Sequence, residues 1–346
     1  MSKFAVVSSS ATSLYTVGSD IAYILNKHGH EAMHSTQILS AVDVKENFEK
    51  AIVVMTFDPL YVTPYCLATY DYIKAGVPAF MYTTTEGVPQ KHLIRDWYKT
   101  KVPYVAVSNY VKQMLNEIGI FPKAVVPHGV NFDYINSALE NAKGMKDYLK
   151  KKLNVEVVFG TVASNHPRKN LPSLAQAIKL VNQSIKDAGF YVVTTERGKL
   201  HFAGIDRVFV DTGFGKFART EILTLIGAFD FLVHPAFSEG FGLPVLEAQA
   251  LGVPVIHPNY APLTEISHPT ANFVVPISSV GQNAFTDGIN YTLHYFNVED
   301  MAQQIINAYE IYTSNKEEYN NRSEQVKEFA KKFDADNLYM KLASIV

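Results

Sequence analysis

Residues 234–259 read HPAFSEGFGLPVLEAQALGVPVIHPN, and their apolar runs, glycines and prolines follow the pattern of one α/β unit. The residues just before it, FDFLV, continue into HP as a short apolar run with the length and composition of a buried strand. SEGFG is a loop whose glycines let backbone approach a ligand closely. Pro244 suits the first turn of a helix, where its missing N–H costs nothing. VLEAQAL continues that helix, Gly252 terminates it, and VPVIHP is the next strand. The order strand, glycine loop, helix, strand is one α/β unit. Such a unit puts the loop and the helix N-terminus at the carboxyl edge of a parallel sheet, where ligands of open α/β sheets bind. The free N–H groups and the positive end of the helix dipole favour phosphate there. Glu239 and Glu247 stand eight residues apart across the hinge. Glu247 is placed in the first helical turn, leaning back toward the N-terminus, so that both carboxylates face one crevice as acceptors for sugar hydroxyls. The plainer alternative is that Glu247 only favours the helix dipole and Glu239 is a solvated loop residue.

Working outward, the same alternation fills the chain. FAVVSS (4–9) is strand-like, ATSLYTVGSD (11–20) is a small-residue loop, and Ile21, Ile24 and Leu25 repeat at helical spacing up to a C-cap turn at Gly29. AIVVMTF (51–57), VPAFMYTT (77–84) and VPYVAVS (102–108) are strands, with helices over YCLATYDYIKAG and NYVKQMLNEIG between or after them. NSALENAKGMKDYLKKKLN (136–154) is a polar, helix-prone crossover whose lysines 150, 151 and 152 form a solvated face. The alternation then restarts with VVFGTVA (157–163), the loop NHPRKN, the helix LPSLAQAIKLVNQSI, and strands over FYVVTTE, HFAG and RVFVDTG. Short apolar strands alternating with helices predict parallel, doubly wound sheets. Two Rossmann-like halves are the simplest account, with the site in the cleft between them.

Composition sets the limits. A chain of 346 residues accommodates two domains. Its 47% hydrophobic and 18% charged residues fit a globular class, and a net charge of −2 leaves no basic excess for nucleic acid. No apolar run approaches the ~18 residues of a membrane span, and the apolar core of MSKFAVVSSS is too short for a signal peptide. The single cysteine, Cys66, excludes an internal disulfide, so a cytoplasmic location is the expectation.

Three segments in this order resemble glycosyltransferase family 4, the retaining enzymes of the GT-B fold: VAVSNYVKQMLNEIGI with KAVVPHGVNFD, then FGTVASNHPRKNLPSLAQAI, then AFDFLVHPAFSEGFGLPVLEAQALGVPVI. The resemblance covers nearly the whole chain. It implies an acceptor-side domain over 1–134, rejoined by a C-terminal helix at 334–346, and a nucleotide-sugar donor domain over 135–333. It implies a hexosyltransferase using a UDP- or GDP-sugar, with no cofactor and no metal. Lys169 would bind the donor diphosphate, with Arg168 assisting or shaping the loop. Gly240, Phe241, Gly242 and Leu243 would line the nucleotide and sugar. Glu239 would accept from sugar hydroxyls and Glu247 from the ribose, while Gly18, at the start of the first helix, would come near the phosphates. The acceptor (glycan, lipid, protein or small molecule) and the oligomeric state are not given.

Two departures stand out. Many members carry an arginine where this chain has Ala163; His166, Lys216 and Arg219 are the alternatives for the missing charge. Many also carry a histidine where MYTTTEG offers Thr84, Thr85 and Glu86, which makes Glu86 a candidate site residue. His128, in PHGVN, is a candidate at the domain junction, against a structural role. His234 is taken as a satisfied core histidine, the histidines of HGH (28–30) as a helix end rather than a metal site, and Asp334 in FDADN as the cap of the last helix. Trp97 and Tyr98 leave acceptor or peripheral membrane contact open beside plain packing. Other readings of the whole are a catalytically degraded nucleotide-sugar binding protein and a GT-B-fold epimerase or phosphorylase.

Overall fold

The computed structural model describes residues 1–345 and divides the chain into two compact units. Unit 1 comprises Met1–Asn131, Gln282–Thr292 and the segment from Phe333 onward; unit 2 comprises Phe132–Gly281 and Leu293–Lys332. The sequence reading places 282–292 in the second domain, whereas these residues belong to unit 1.

The strands are β1 (Lys3–Ser8), β2 (Glu31–Ser35), β3 (Lys50–Thr56), β4 (Ala79–Thr84), β5 (Gly87–Pro89), β6 (Tyr104–Ala106), β7 (Ala124–Val125), β8 (Val157–Val162), β9 (Ala188–Val193), β10 (Val208–Asp211), β11 (Phe231–Val233), β12 (Val255–Pro258), β13 (Phe273–Val275), β14 (Ser279–Ala284) and β15 (Ile289–Tyr295). Unit 1 holds a six-stranded sheet in the order β2-β1-β3-β4-β6-β7, and unit 2 one in the order β10-β9-β8-β11-β12-β13. Every pair in both is parallel. The central strands are buried on both faces, as the continuous runs AIVVM in β3 and AGFYVV in β9 require. Gly160 in β8 is set by packing, since a Cβ there would lie 1.9 Å from the Phe229 ring.

Several local expectations are corrected. The first helix runs from Thr12 to Lys27, starting inside the stretch read as a loop. Leu14 and Val17 already follow the spacing of Ile21 and Ile24, but the small polar residues between them mask the period. Gly18 is therefore mid-helix, and a Cβ there would come within 2.6 Å of His34 Nε2 and 3.1 Å of Ser8 Cβ. HFAG is no strand; Leu200–Phe202 form a 3-10 turn with Phe202 as the buried anchor. The strand β2, the helix Ala41–Asn47 and the hairpin β14–β15 are additions; the signal for β2, that helix and β14 is weak because their residues are mostly polar or part-exposed, whereas β15 carries a period-2 alternation, with Ile289, Tyr291 and Leu293 buried, that the sequence reading misses. β15 pairs antiparallel with β5 through Ile289, Asn290 and Tyr291.

The lysine run of helix Phe132–Leu153 is only partly solvated. Lys150 Nζ lies 3.4 Å from Asp230 and donates to Tyr312 Oη at 2.8 Å, while Lys146 reaches Asp230 at 3.1 Å. Asp230 is fully buried and also accepts from Val158 N. These contacts fasten the helix to the amino edge of the unit 2 sheet. Asp334 does cap the last helix, accepting from Asp336 N at 3.0 Å. Asp336 in turn pairs with Lys27 at 2.9 Å and His28 Nε2 at 2.6 Å, so His28 is committed within unit 1. Tyr98 is buried, with its hydroxyl on Thr63 Oγ1 at 2.5 Å, and serves packing rather than a surface; Trp97 sits edge-on against it at 4.5 Å. Among the described residues no helix is long and apolar enough to cross a membrane.

Candidate functional site

In unit 2 the strand order reverses between β8 and β11, and ligands of doubly wound sheets bind outside the carboxyl ends at such a reversal. The loops leaving those two strands are 163–170 and 234–242. Backbone and side chains stitch them together. Phe237 N donates to Arg168 O at 2.7 Å, Arg168 Nη1 to Ser238 O at 2.9 Å, and Asn170 Nδ2 to Pro235 O at 3.2 Å. Asn170 adopts φ 54°, the left-handed conformation that Asn tolerates better than most residues, and so turns the 3-10 segment Pro167–Lys169 into the helix Leu171–Ser184.

Lys169 and Arg168 are thereby aimed at Glu239, which is only 4% exposed. Arg168 Nη1 lies 3.0 Å from Oε2, Lys169 Nζ bonds Oε1, and His234 Nε2 lies 2.9 Å from Oε1. Burial alone would push this carboxyl up, but Lys169, Arg168 and His234 hold it well below the usual carboxylate range. Burial lowers the His234 pKa, against the opposing pull of Glu239. The result is an ionised carboxylate shared by two cations and a neutral ring. The sequence reading takes His234 as a core histidine; it is buried, but its ring is committed to the central glutamate.

Gly240, Phe241 and Gly242 are buried, and Leu243 is half-buried at the first position of helix Leu243–Ala250. Gly242 caps that helix at φ 98°, and a Cβ there would meet Leu263 Cδ2 at 2.6 Å. Pro244 stands in the first turn as expected. Glu247 is in the second turn rather than the first, because the helix starts at Leu243. It is 5% exposed and accepts from Arg219 Nη1 at 2.5 Å. Gln249, fully buried, donates to Val245 O and Ile266 O and accepts from His268 N and Asn272 Nδ2, which pins the following loop to this helix.

Ala163 is buried at the end of β8. Of the three alternatives for the missing arginine, His166 caps its own turn by accepting from Arg168 N, Lys216 is exposed, and Arg219 meets a buried carboxylate of this site. The Arg219–Glu247 link spans 28 residues with no shared motif, so no spacing rule points to it.

The remaining candidates lie in unit 1. Gly18 serves helix packing on β1 and β2, as its surroundings show. His128 is 4% exposed, edge-on to Tyr82 at 5.1 Å, and burial lowers its pKa to about 3. Glu86 is half-buried and accepts from Tyr291 Oη at 3.3 Å. Close by, burial raises Asp58 to about 6, with Asp287 and Glu86 adding repulsion, a grouping that the sequence does not announce. Among the described residues no cluster of three or more His, Cys, Asp or Glu side chains is arranged to hold a metal ion.

Residues 156–309, which include this whole arrangement, match the family Glycosyl transferases group 1. The uncharacterized glycosyltransferase 335 of Sulfolobus islandicus rod-shaped virus 1 is 30% identical over 348 residues, covering 97% of this chain and 98% of the relative. Among solved structures, a glycosyltransferase from Rickettsia africae ESF-5 superposes with a TM-score of 0.72 at 18% identity, covering 99% of this chain and 97% of that one. Anabaena HepE in complex with UDP and glucose gives 0.65 at 13% identity, over 100% and 99% of the two chains. The conjunction of two parallel α/β units, a reversal-point cation pair on a buried glutamate, and a near full-length relative establishes that the chain belongs to the group 1 glycosyltransferases, glycosyltransferase family 4, with the GT-B fold.

Proposed function

We propose that the chain transfers a hexosyl unit from a nucleotide-diphosphate sugar, UDP- or GDP-linked, to a hydroxyl acceptor with retention of anomeric configuration and without a metal. The observation that carries this reading is the pair Lys169 and Arg168, converging on Glu239 at the reversal point of the unit 2 sheet. Cleavage of the glycosyl–phosphate bond leaves negative charge on the departing diphosphate. Fixed cations and main-chain amides at the start of a helix stabilise such charge where water is excluded, and this is the contribution assigned to Lys169, Arg168 and residues 240–243. Glu239 accepts from hydroxyls of the donor sugar, and Glu247, held by Arg219, accepts from the ribose.

On this reading the acceptor oxygen attacks the face from which the diphosphate departs. The glycosyl–phosphate bond breaks, the new C–O bond forms on that same face, and a phosphate oxygen takes the acceptor's proton. No side-chain nucleophile is needed. Support for a nucleotide-sugar donor comes from HepE, which was solved with UDP and glucose. Acceptor recognition falls to the loops at the carboxyl edge of the unit 1 sheet, where Asp58 and Glu86 lie.

A thermal-shift screen of UDP-, GDP- and ADP-hexoses, followed by sugar release from the hit, tests the proposal. Stabilisation by one base together with sugar release is the expected result. The buried Ala163 motivates one other reading, a nucleotide-sugar binding protein without turnover; binding with neither transfer nor hydrolysis in the presence of cell extract would select it.

A further inference from the structure

We infer that His234 is a positioning residue that keeps Glu239 in place when Lys169 and Arg168 turn to the donor diphosphate. This rests on the donor-site reading above and deepens it. Three groups share one carboxylate. Two are long cationic side chains from the 3-10 turn Pro167–Lys169, and their role toward a diphosphate requires them to give up some or all of their hold on Glu239. The third is a short ring at the end of β11. Its backbone N–H donates to Ile256 O at 2.8 Å, next to the β11–β12 pairing, and its side chain is 3% exposed.

The chemistry of the ring fits retention rather than exchange. An ionised carboxylate only accepts, so His234 Nε2 must carry the proton that meets Glu239 Oε1. A neutral ring has no net charge to attract the diphosphate, so the donor's arrival does not draw it off the glutamate. The buried carboxylate then keeps one fixed donor, and its second oxygen is directed by that anchor toward the sugar hydroxyls. Were the anchor absent, Glu239 would have to follow the cations or rotate freely once they left it.

The test compares two polar replacements that differ in reach. In His234→Gln the side-chain amide nitrogen extends about as far as Nε2; in His234→Asn it ends near Nδ1 and falls short of Glu239. Sugar release to water from the UDP- or GDP-hexose that stabilises the protein is followed at saturating donor, alongside the Kd for the free nucleoside diphosphate. His234→Asn should lower kcat about 10- to 100-fold, the worth of one hydrogen bond to a charged group, while diphosphate affinity stays within about 3-fold. His234→Gln should stay within about 3-fold of wild type in both. Equal kcat in the two variants, or parallel loss of kcat and nucleotide affinity in His234→Asn, overturns the inference. Glu239→Gln separates the two levels: if it is inactive while both His234 variants turn over normally, only the role of His234 falls, and if it keeps wild-type turnover the donor-site reading falls with it.

Discussion

Glu239→Gln removes one negative charge while keeping the shape of the side chain, and the geometry predicts two opposed consequences. In the wild-type protein this carboxylate neutralises Lys169 and Arg168, whose side chains are 16% and 11% exposed. Breaking a buried ion pair from one side costs about 3–5 kcal/mol, because the surviving charge stays buried and unpaired. Both cations here retain some access to water, so the lower end, about 3 kcal/mol, applies. For a unit of 150–250 residues each kcal/mol shifts Tm by about 2–4 °C, so the unfolding transition of unit 2 should fall by roughly 6–12 °C. The second consequence runs the other way. On the donor-site reading, a diphosphate entering the wild-type site has to take bonds that Glu239 holds, each worth about 1.5–3 kcal/mol. In the variant that competition is weakened, and a nucleoside diphosphate should bind about 10-fold tighter, which corresponds to ~1.4 kcal/mol. Differential scanning fluorimetry with and without UDP or GDP reads both numbers on one sample. A variant that melts like wild type and responds to the nucleotide like wild type would show that Glu239 does not hold these cations, and would refute the argument at its root.

Lys169→Ala should lower turnover about 100- to 1,000-fold, the usual effect of deleting one group that stabilises developing negative charge; steady-state sugar release measures it. Glu247→Gln should weaken nucleoside binding itself, through the ribose and through Arg219, so titration calorimetry with the nucleoside monophosphate and diphosphate should show similar losses for both; no loss for either removes Glu247 from the site. One part of the pH dependence of stability follows from His128, whose pKa is lowered from 6.5 to about 3 by burial. A lowered histidine pKa means the fold favours the neutral ring, so its contribution is full above pH 6.5 and is lost as pH falls below that value. At pH 5 the loss is about 2 kcal/mol. Between pH 8 and pH 5 the stability difference from urea denaturation should be smaller in His128→Gln than in wild type by about 2 kcal/mol, the remainder belonging to His234, His257 and Asp58; an unchanged difference in the variant assigns the effect elsewhere.

What the sequence discloses depends on how local the physics is. The stretch 234–259 is legible because every feature in it acts within a turn or two. An apolar run makes β11, Gly242 supplies the left-handed cap, Pro244 opens the helix, and Gly252 closes it at φ 76°. The same holds for Lys169, since Asn170 in its turn conformation fixes where the preceding side chains project. The first helix is misread at its start because Thr12 and Ser13 look like loop residues, while the burial of Leu14 and Val17 is a property of the sheet beneath them. The partners of the two glutamates are harder still. Glu239 meets residues 70 and 71 positions earlier, and Glu247 one 28 positions earlier. Those separations are set by strand order, which no local period encodes. His234 shows the limit most clearly: buried at a strand end, it satisfies every sequence criterion for a core histidine, and only the placement of Glu239 five residues on gives it another partner.

On the proposed reading, the carboxylate at 239 also serves to keep the two cations of the donor site in place. Lys169 and Arg168 are adjacent in sequence and both largely buried, so alone they would repel each other and pull toward water. Electrostatic stabilisation of a departing phosphate is effective only if the cations are already in place and need no reorganisation as the charge develops. An internal anion meets that requirement by holding the cations inward in its absence. It also sets a threshold, because a ligand must offer at least comparable negative charge to displace the carboxylate, and a diphosphate does so where a neutral sugar or a nucleoside does not. Discrimination for the diphosphate would then come from competition with Glu239 as much as from direct attraction. On the proposed reading, that competition would leave the carboxylate, anchored by His234, facing the sugar only once the diphosphate had taken its place on the cations.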